Sequence, residues 1–467
     1  MSVRARLCVI ISTCAALSLF APACATRSHA NAQSTAAAHA TPVAKNVIVM
    51  VGDGFGFNHA LASDYYEHGE AGKHLYEREF TNLAMSTYSV NVEGGYDLSK
   101  AWTSFDYFTK ASTDSAAAAS AMSTGVKTKN GAIGVDVDGK SVKHIAEHAE
   151  ELGKSSGVIT TVPISHATPA GFSAHDASRS NYDVLARQMI LDSKLDVIMG
   201  GGHPLFDADG KPRVPSSAEG KEYRYVGGQE TWNKILAGSA GGDADGDGTP
   251  DLWTLVQSRE EFQKLGSGDA PKRVLGLVQS AESTQVDRSG IDDERRDDAP
   301  YQTPLLETSP TLAEMSKAAL NVLDSNPKGF FLMIEGGAID WASHANAGGR
   351  MIEEVSDFNR AIEAVAEWVS ANSSWDETLV IVTADHETGY IWGPGSNPDW
   401  KPLENKGKGV MPGIQFNSKG HSNNLVPFFV KGAGAEYVAS KAVQTDKKRG
   451  PFLDNTDIAK SAMELMR

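Results

Sequence analysis

Cysteine is nearly absent from this sequence of 467 residues. The three cysteines present, Cys8, Cys14 and Cys24, all lie within the first 24 residues. The rest of the chain therefore cannot form an internal disulfide, and it offers no thiolate to a zinc ion. Any metal site must use His, Asp and Glu side chains. A chain of this length can bury a core large enough to be stable without disulfides.

Positive charge is also scarce. The sequence has 43 Lys and Arg against 59 Asp and Glu, which gives a formal net charge of −16 at pH 7. This balance argues against nucleic acid as a partner, because a phosphate backbone is bound by a basic surface. It does not exclude a small anionic substrate, since bound metal ions can attract such a substrate locally.

Long apolar runs are missing as well. The apolar run over residues 7–20 is short for a transmembrane helix, so we predict no membrane span in the mature chain. Two arginines precede this run and small residues follow it, which is typical of a signal peptide. We assign residues 1–32 to the signal peptide, with cleavage after Ala25 or Ala32.

The predicted signal peptide implies an exported protein, either periplasmic or secreted. An uncleaved membrane anchor and a lipid attached to Cys24 are the alternatives. Residues 33–44 are rich in Ala and Thr and are predicted to form a flexible leader. Residues 45–467 are predicted to form a single domain.

Five apolar segments, most of them rich in β-branched residues, are predicted to be strands; they cover residues 45–51, 157–162, 195–199, 330–334 and 379–383. Continuous apolar runs of this kind are typical of parallel strands buried on both faces. Helical patterns follow at residues 141–152, 309–323 and 352–369. Ser309 is the expected N-cap of the second helix, with proline in its first turn. The alternation predicts a doubly wound α/β fold, with a mostly parallel central sheet and helices on both faces.

Residues 203–300 are more polar and are predicted to be a loop-rich excursion from the same domain. This stretch contains an acidic loop formed by Asp243, Asp245, Asp247 and Asp251. The spacing resembles a calcium-binding loop, although Thr254 stands where such a loop has a bidentate Glu. A Ca²⁺ site is therefore one interpretation, and a solvated acidic turn is the other.

The segment 113–122 begins with polar residues and continues into a run of alanines. Alanine favours helix, and Thr113 or Asp114 can cap the first turn. Ser115 then lies near the helix start, where free N–H groups and the helix dipole favour an anion. A serine in this position can attack or bind a phosphate group. The alternative is an ordinary helix start.

Acidic and histidine side chains follow four of the predicted strands; they are Asp53, His166 with Thr168, Glu335, and Asp385 with His386. The carboxyl ends of strands in an open α/β sheet meet at one edge, where ligands bind. Asp340 and His344 are four residues apart and share one face if that segment is helical. His421 offers a further imidazole. Carboxylates and imidazoles together suit Zn²⁺, and the oxygen-rich part suits Mg²⁺.

Five motifs, taken in order, resemble those of the alkaline phosphatases; they are Val51-Gly52-Asp53-Gly54, Thr113-Asp114-Ser115-Ala116, His166-Ala167-Thr168-Pro169, Glu335-Gly336-Gly337-Ala338-Ile339-Asp340 with His344, and Thr383-Ala384-Asp385-His386. The resemblance extends over residues 45–430, and the set of motifs is highly specific. It implies hydrolysis of small phosphate monoesters with two zinc ions and one magnesium ion. It also implies a possible homodimer, since many relatives are dimers.

The resemblance assigns a role to each matched residue. Ser115 is the implied nucleophile, which becomes phosphorylated, and Asp114 lies beside it in the substrate site. One zinc ion is assigned to Asp340, His344 and His421, and the second to Asp53, Asp385 and His386 together with Ser115. Magnesium is assigned to Asp53, Thr168 and Glu335, with His166 beside or within its ligand shell. Arg179 is the implied phosphate clamp, because its planar guanidinium can bind two phosphate oxygens.

His166 and Trp341 differ from one branch of the family, which has Asp and Lys at these positions, and they resemble other bacterial members. The imidazole leaves open whether the third site prefers zinc or magnesium. Two other functions remain alternatives. One is a related phosphodiesterase, mutase or sulfatase, and the other is an inactive exported protein that binds metal or phosphate.

Overall fold

An eleven-stranded sheet forms the centre of the computed structural model, which describes residues 43–217, 220–289 and 298–466. The predicted signal peptide and most of the predicted leader lie outside these residues. The strands are β1 (Asn46–Gly52), β2 (Thr81–Ser86), β3 (Ser155–Pro163), β4 (Val197–Gly201), β5 (Gly241–Gly242), β6 (Asp251–Leu252), β7 (Thr254–Val256), β8 (Val274–Leu277), β9 (Phe330–Gly336), β10 (Thr378–Ala384), β11 (Glu387–Thr388), β12 (Ile391–Trp392), β13 (Gln415–Phe416), β14 (His421–Ser422), β15 (Val426–Gly432), β16 (Gln444–Asp446) and β17 (Gly450–Asp454).

Helices follow or separate most of these strands. The α-helices are α1 (Phe57–His68), α2 (Leu75–Glu79), α3 (Ser115–Thr124), α4 (Ile145–Glu151), α5 (Ala167–Gly171), α6 (Tyr182–Arg187), α7 (Gln229–Leu236), α8 (Arg259–Leu265), α9 (Leu312–Leu323), α10 (Ala338–His344), α11 (Gly348–Asn372), α12 (Ala435–Ala439) and α13 (Thr456–Leu465). Short 3₁₀ helices lie at Phe105–Thr109 and Lys221–Val226, and a π-helical turn follows α6 at Gln188–Asp192.

The large sheet has the strand order β16-β17-β2-β15-β10-β1-β9-β3-β4-β8-β7. All pairs from β10 to β7 in this order are parallel. β15 runs antiparallel to β10 and to β2, and β16 runs antiparallel to β17. The predicted α/β class with a mostly parallel central sheet is confirmed.

β1 lies in the middle of this sheet, and all seven of its residues are buried. Val49 pairs with Ile381 of β10 on one side and with Met333 of β9 on the other. The unbroken apolar sequence of these strands thus reflects burial on both faces. β1 and β10 end directly before Asp53 and Asp385, so both carboxylates emerge at the same sheet edge.

Residues 203–300 were predicted to be a polar, loop-rich excursion, but they contribute the strands β7 and β8 to the large sheet. β8 is fully buried and pairs with β4, and β7 extends the sheet by one further strand. The acidic loop lies between the short paired strands β5 and β6.

α3 is the helix expected from the alanine-rich segment. The Asp114 carboxylate caps it by accepting a hydrogen bond from the Ala117 N–H at 3.0 Å. The helix ends at Gly125, whose φ of 75° is left-handed and suits glycine. Small side chains let α3 pack closely on α5, since a Cβ added to Gly171 would lie 2.7 Å from the Ala119 Cβ.

The N-cap of α9 lies two residues later than expected. Its cap is Thr311, which accepts a hydrogen bond from the Glu314 N–H, while the Glu314 carboxylate accepts one from the Thr311 N–H. This reciprocal pair satisfies two N–H groups. Ser309, which is followed by a proline, forms no such pair here. The expectation of a cap at Ser309 was therefore wrong.

Candidate active site and metal centre

Ser115 is the first residue of α3 and is almost fully buried, with 2% of its surface exposed. Its Oγ lies 3.2 Å from Nε2 of His386, which follows β10. The hydroxyl therefore faces the carboxyl end of the sheet. The free N–H groups of the first turn lie beside it, which favours binding of an anion at this point.

Asp53, Asp385 and His386 form a buried cluster around this hydroxyl. The His386 Nε2 lies 3.1 Å from Asp385 Oδ2 and 3.6 Å from Asp53 Oδ1. Asp385 Oδ1 accepts hydrogen bonds from the N–H groups of Gly54 and His386, which fix the orientation of the carboxylate. Both oxygens of Asp53 and Oδ2 of Asp385 have no hydrogen-bond partner.

Burial and mutual repulsion disfavour two negative charges in this cluster. Burial raises the pKa of Asp53 well above its usual value, and the Asp385 charge raises it further. Burial likewise raises the pKa of Asp385 to about 8. Burial lowers the pKa of His386 well below its usual value, so its imidazole is neutral. Such a set favours a bound cation, which would satisfy all three residues at once.

Asp340, His344 and His421 form a second cluster beside the first. Asp340 Oδ2 lies 3.3 Å from His344 Nε2, and Asp340 Oδ1 lies 3.5 Å from His421 Nε2. Asp340 and His344 belong to α10, which gives the shared helix face expected from their spacing. His421 begins β14 and stacks on His386, with ring centroids 3.5 Å apart.

The hydrogen bonds of the two imidazoles orient both Nε2 atoms toward the centre of this cluster. His421 Nδ1 lies 2.9 Å from the Thr113 carbonyl oxygen, and His344 Nδ1 is hydrogen-bonded to the Lys419 carbonyl oxygen. Because a carbonyl only accepts, each Nδ1 carries a proton and each Nε2 faces the cluster. Burial lowers the pKa of His344, but its hydrogen bond to Asp340 raises that pKa to about 9. The two Nε2 atoms face each other at 3.1 Å, so a cation between them is the arrangement that satisfies both.

Glu335, Thr168 and His166 are the residues predicted for the third metal site. Glu335 is buried on β9, where it pairs with Val51 of β1, two residues before Asp53. Thr160 Oγ1 donates to Glu335 Oε2, while Glu335 Oε1 has no hydrogen-bond partner. Thr168 Oγ1 and His166 Nδ1 are buried without partners as well. Burial raises the pKa of Glu335 to about 7, which again favours a nearby cation.

Arg179 joins the third position to the start of α3. Its Nη1 donates to Asp114 Oδ2 at 3.0 Å, and its Nη2 lies 3.5 Å from His166 Nε2. About one fifth of the Arg179 side chain is exposed to solvent. The structure thus brings together Arg179, Asp114 and Ser115, the three residues predicted to contact substrate.

The donor set as a whole fits a group of bound cations. Five of its buried residues have side-chain atoms without hydrogen-bond partners; they are Asp53, His166, Thr168, Glu335 and Asp385. Buried polar atoms are normally satisfied, and carboxylates that lack partners are costly. Imidazole and carboxylate donors are ligands of Zn²⁺ in proteins, and oxygen donors such as those of Glu335 and Thr168 suit Mg²⁺.

The alkaline phosphatase family model matches residues 44–425 of the chain. The chain belongs to this family. Alkaline phosphatase 4 of Bacillus subtilis is 32% identical over 365 residues, which cover 76% of this chain and 64% of that protein. The Escherichia coli alkaline phosphatase is 30% identical over 73% of this chain and 70% of its own length. The predicted family is confirmed, and the chain spans just under two thirds of the Bacillus relative.

Solved alkaline phosphatases share the fold. The cold-active alkaline phosphatase of a psychrophilic Shewanella species superposes with a TM-score of 0.63 at 25% identity, covering 90% of this chain and 100% of that one. The alkaline phosphatase of the Antarctic bacterium TAB5 gives a TM-score of 0.59 at 25% identity, with 91% and 98% coverage. The alkaline-phosphatase-like architecture therefore extends over nearly all of the described chain.

The acidic loop lies outside the candidate active site, and one lysine pairs with two of its carboxylates. Lys272 Nζ lies 2.8 Å from Asp245 Oδ2 and 2.7 Å from Asp251 Oδ1. Asp243 accepts hydrogen bonds from the Gly246 and Gly248 N–H groups. Asp247 accepts one from the Thr249 N–H. These contacts match the solvated acidic turn, and a Ca²⁺ ion in this loop stays a prediction.

Several residues that shape the alkaline phosphatase site were not predicted. Thr388 Oγ1 donates to Asp340 Oδ1 at 2.5 Å, and Thr160 donates to Glu335. The Tyr182 ring lies parallel to the His166 ring, with centroids 6.2 Å apart. Thr388 stands two residues after His386, the last residue of a motif singled out in the sequence. This proximity could have identified Thr388 as a residue of the site. No sequence pattern pointed to the other two.

Proposed function

We propose that the chain hydrolyses phosphate monoesters to an alcohol and inorganic phosphate through a phosphoserine at Ser115. The observation that carries this proposal is the position of Ser115. This residue begins α3, and its Oγ lies 3.2 Å from Nε2 of His386. The hydroxyl faces a cluster of buried, unpartnered carboxylate oxygens and lies near Arg179. Membership of the alkaline phosphatase family supports the same function.

We infer that the site binds two zinc ions and one magnesium ion. The ligands of one zinc are Asp340, His344 and His421, and those of the second are Asp53, Asp385 and His386 with Ser115. The ligands of magnesium are Asp53, Thr168 and Glu335, with His166 near its shell. When bound, these ions supply positive charge that favours the ionised serine, offsets charge on the leaving oxygen and makes water more acidic.

Ser115 supplies the attacking oxygen. A bond forms between Ser115 Oγ and phosphorus while the bond from phosphorus to the ester oxygen breaks, and the alcohol leaves with a proton. Water then attacks the phosphoserine, which releases inorganic phosphate and restores the hydroxyl. The transition state for this transfer is loose, so the residues act mainly by positioning and by stabilising charge.

Arg179 and the first turn of α3 bind the non-bridging oxygens. The guanidinium can donate two parallel hydrogen bonds to phosphate, and the N–H groups of the helix start point toward the same group. Asp114 holds Arg179 through the 3.0 Å contact and caps α3 at the same time. One carboxylate thus fixes both phosphate-binding elements relative to Ser115.

We also propose that the protein is exported and acts in the periplasm or outside the cell, with lipid attachment at Cys24 as the alternative. The basic and apolar pattern of residues 1–32 supports export. Among the residues that the structure describes, no helix combines the length and apolarity needed to cross a bilayer. A homodimer is proposed from family membership alone.

A chromogenic phosphate monoester tests this function. Wild-type protein should hydrolyse it, lose activity after chelation and recover activity when zinc and magnesium are returned. Ser115→Ala should lower turnover by at least about a thousandfold, as expected when a nucleophile is removed. Ser104→Ala, an exposed serine without a side-chain cap bond, is the matched control and should keep full activity.

Two outcomes would contradict the proposal. Covalent trapping of labelled phosphate by the Ser115→Ala variant would show that another residue is the nucleophile. Faster turnover of a phosphate diester or a sulfate ester than of the monoester would indicate one of the related activities instead.

A further inference from the structure

A second group of metal-binding side chains lies at the far end of α1. Asp64 and His68 are four residues apart in the last turns of this helix, and His74 follows the loop after it. One donor atom from each residue lies within 4.8 Å of those from the other two. α1 has 12 residues and is about 18 Å long, and its opposite end begins four residues after Asp53. This cluster is therefore separate from the active site.

The spacing of the donor atoms matches a metal site. Asp64 Oδ1 lies 3.4 Å from His74 Nε2. A tetrahedral ion with ligands at about 2.0–2.1 Å has neighbouring ligand atoms roughly 3.3 Å apart. In the proposed zinc sites the corresponding distances from carboxylate oxygens to histidine Nε2 atoms are 3.1, 3.3, 3.5 and 3.6 Å.

The protein holds these donors in place. Asp64 is fully buried, and its carboxylate accepts hydrogen bonds from the Gly72 N–H at 2.5 Å and the Lys73 N–H at 3.1 Å. His74 is 4% exposed, and its ring stacks on Tyr76. His68 is exposed, so solvent can reach the cluster from its side. Such outer contacts orient metal ligands before the ion binds.

Both ring nitrogens of His74 face carboxylates. Nε2 faces Asp64, and Nδ1 lies 3.9 Å from Glu67 Oε2. Asn359 Nδ2 also lies within hydrogen-bond distance of the ring, at 3.3 and 3.4 Å from its two nitrogens. Burial lowers the pKa of His74, although both carboxylates act to raise it. A metal ion bound at a ring nitrogen of His74 would be attracted by both of these carboxylates.

A similar group elsewhere shows the contrast. His144, Glu147 and His175 also lie close together. There, however, His144 Nδ1 accepts the Glu147 N–H as the cap of α4, so its other nitrogen carries the proton. His175 forms an ion pair with Glu147 at 3.1 Å. In that group the histidines and Glu147 pair with one another.

We propose that Asp64, His68 and His74 bind a divalent transition metal ion, with Zn²⁺ preferred and Glu67 as the adjacent carboxylate. Two imidazoles and one or two carboxylates form a donor set that Zn²⁺ uses widely. An ion held by these residues joins the last turns of α1 to the start of α2. The site does not depend on the proposed catalytic reaction.

Metal content and anomalous diffraction test the site in the full chain loaded with zinc. Holoprotein should carry one more equivalent of zinc than His68→Gln and Asp64→Asn, and the three proteins should have equal phosphatase activity. Glu70→Gln changes an exposed charge in the same loop and is the matched control, which should keep the full zinc content. His68 is exposed, so its replacement should leave folding unaffected.

An anomalous peak at the zinc edge between Asp64, His68 and His74 in wild-type crystals would support the proposal directly. Equal zinc content in wild type and His68→Gln would overturn it. So would the absence of that peak in crystals whose active-site zinc positions are filled, because those positions show that zinc was available. Loss of catalytic activity without a change at this peak would bear on the proposed function alone.

Discussion

Buried carboxyl groups outside the candidate active site make the free energy of unfolding depend on pH. Glu150 lies in α4, and burial raises its pKa to about 7, although the Ser156 hydroxyl donates to it at 2.6 Å. In the unfolded chain the pKa of this side chain is about 4.3. Because the folded-state pKa is the higher one, the folded protein binds this proton more tightly. The resulting stabilisation is full below about pH 4 and is lost as pH rises through 7.

Glu150→Gln should therefore be more stable than wild type at alkaline pH. At pH 8.5 we expect its free energy of unfolding to exceed that of wild type by about 1–3 kcal/mol, and at pH 4.5 we expect the gain to disappear. Urea unfolding at both pH values measures the difference. Glu151→Gln, at the exposed neighbour, should show no such dependence. A gain that is equal at both pH values would contradict the titration of Glu150.

The ligands of the proposed metal site could be predicted from sequence, but their supporting partners could not. Asp53 and Asp385 follow apolar strands, and acidic residues in that position are unusual enough to be noticed. The contacts that orient the imidazoles come from the carbonyl groups of Thr113 and Lys419. Every residue has a carbonyl group, so no residue type marks these positions. They depend on how loops distant in sequence approach each other.

Among helices, α9 shows how a cap is chosen when two candidates stand close together. Thr311 and Glu314 satisfy each other's N–H groups, with bonds of 2.9 and 3.1 Å. Ser309 is buried, and its Oγ has no hydrogen-bond partner. The Ser-Pro pair is a familiar start signal, but the capping box two residues later satisfies more of the free N–H groups.

Thr311→Ala should consequently destabilise the protein more than Ser309→Ala. Loss of the cap should lower the free energy of unfolding by about 1 kcal/mol. Replacement of Ser309, which has no bond to lose, should change it by less than about 0.5 kcal/mol. Thermal or urea unfolding of the two variants side by side gives the comparison. If Ser309→Ala proved the more harmful, the assignment of the helix start would be wrong.

The central strands were easier to predict than the strands at one edge of the sheet. β1, β3, β9 and β10 are buried along almost their whole length, and each has an apolar central segment. β2 begins with exposed polar residues, and β17 contains a proline, so neither has that signature. β2 pairs with β15 and β17 from the opposite end of the chain, and local sequence contains no information on such pairing.

At the scale of the whole molecule, the buried acidic groups place a limit on stability without metal. Asp53, Asp385 and Glu335 lie close together, and burial raises the pKa of each. Folding without a cation must either protonate these groups or bury repelling charges. An ion that binds only the folded state removes this cost and stabilises the fold by mass action.

Chelation should accordingly lower the melting temperature, as well as activity. An ion present at a thousand times its Kd stabilises the folded state by about 4 kcal/mol, so its removal should produce a shift that is easily measured. Differential scanning calorimetry of chelated and zinc-loaded protein at equal ionic strength tests this. Chelator with excess zinc is the control for the chelator itself. An unchanged melting temperature would contradict the electrostatic account of the site.

The close packing of α3 against α5 also bears on how this protein could be redesigned. Nine of the ten residues in the helix that carries Ser115 are buried, and Gly171 leaves no space for a larger neighbour at Ala119. Randomising this helix would mostly yield proteins that no longer fold. A library intended to alter substrate choice is better directed at the partly exposed residues Tyr182 and Trp341, whose rings contact the His166 ring and lie outside α3.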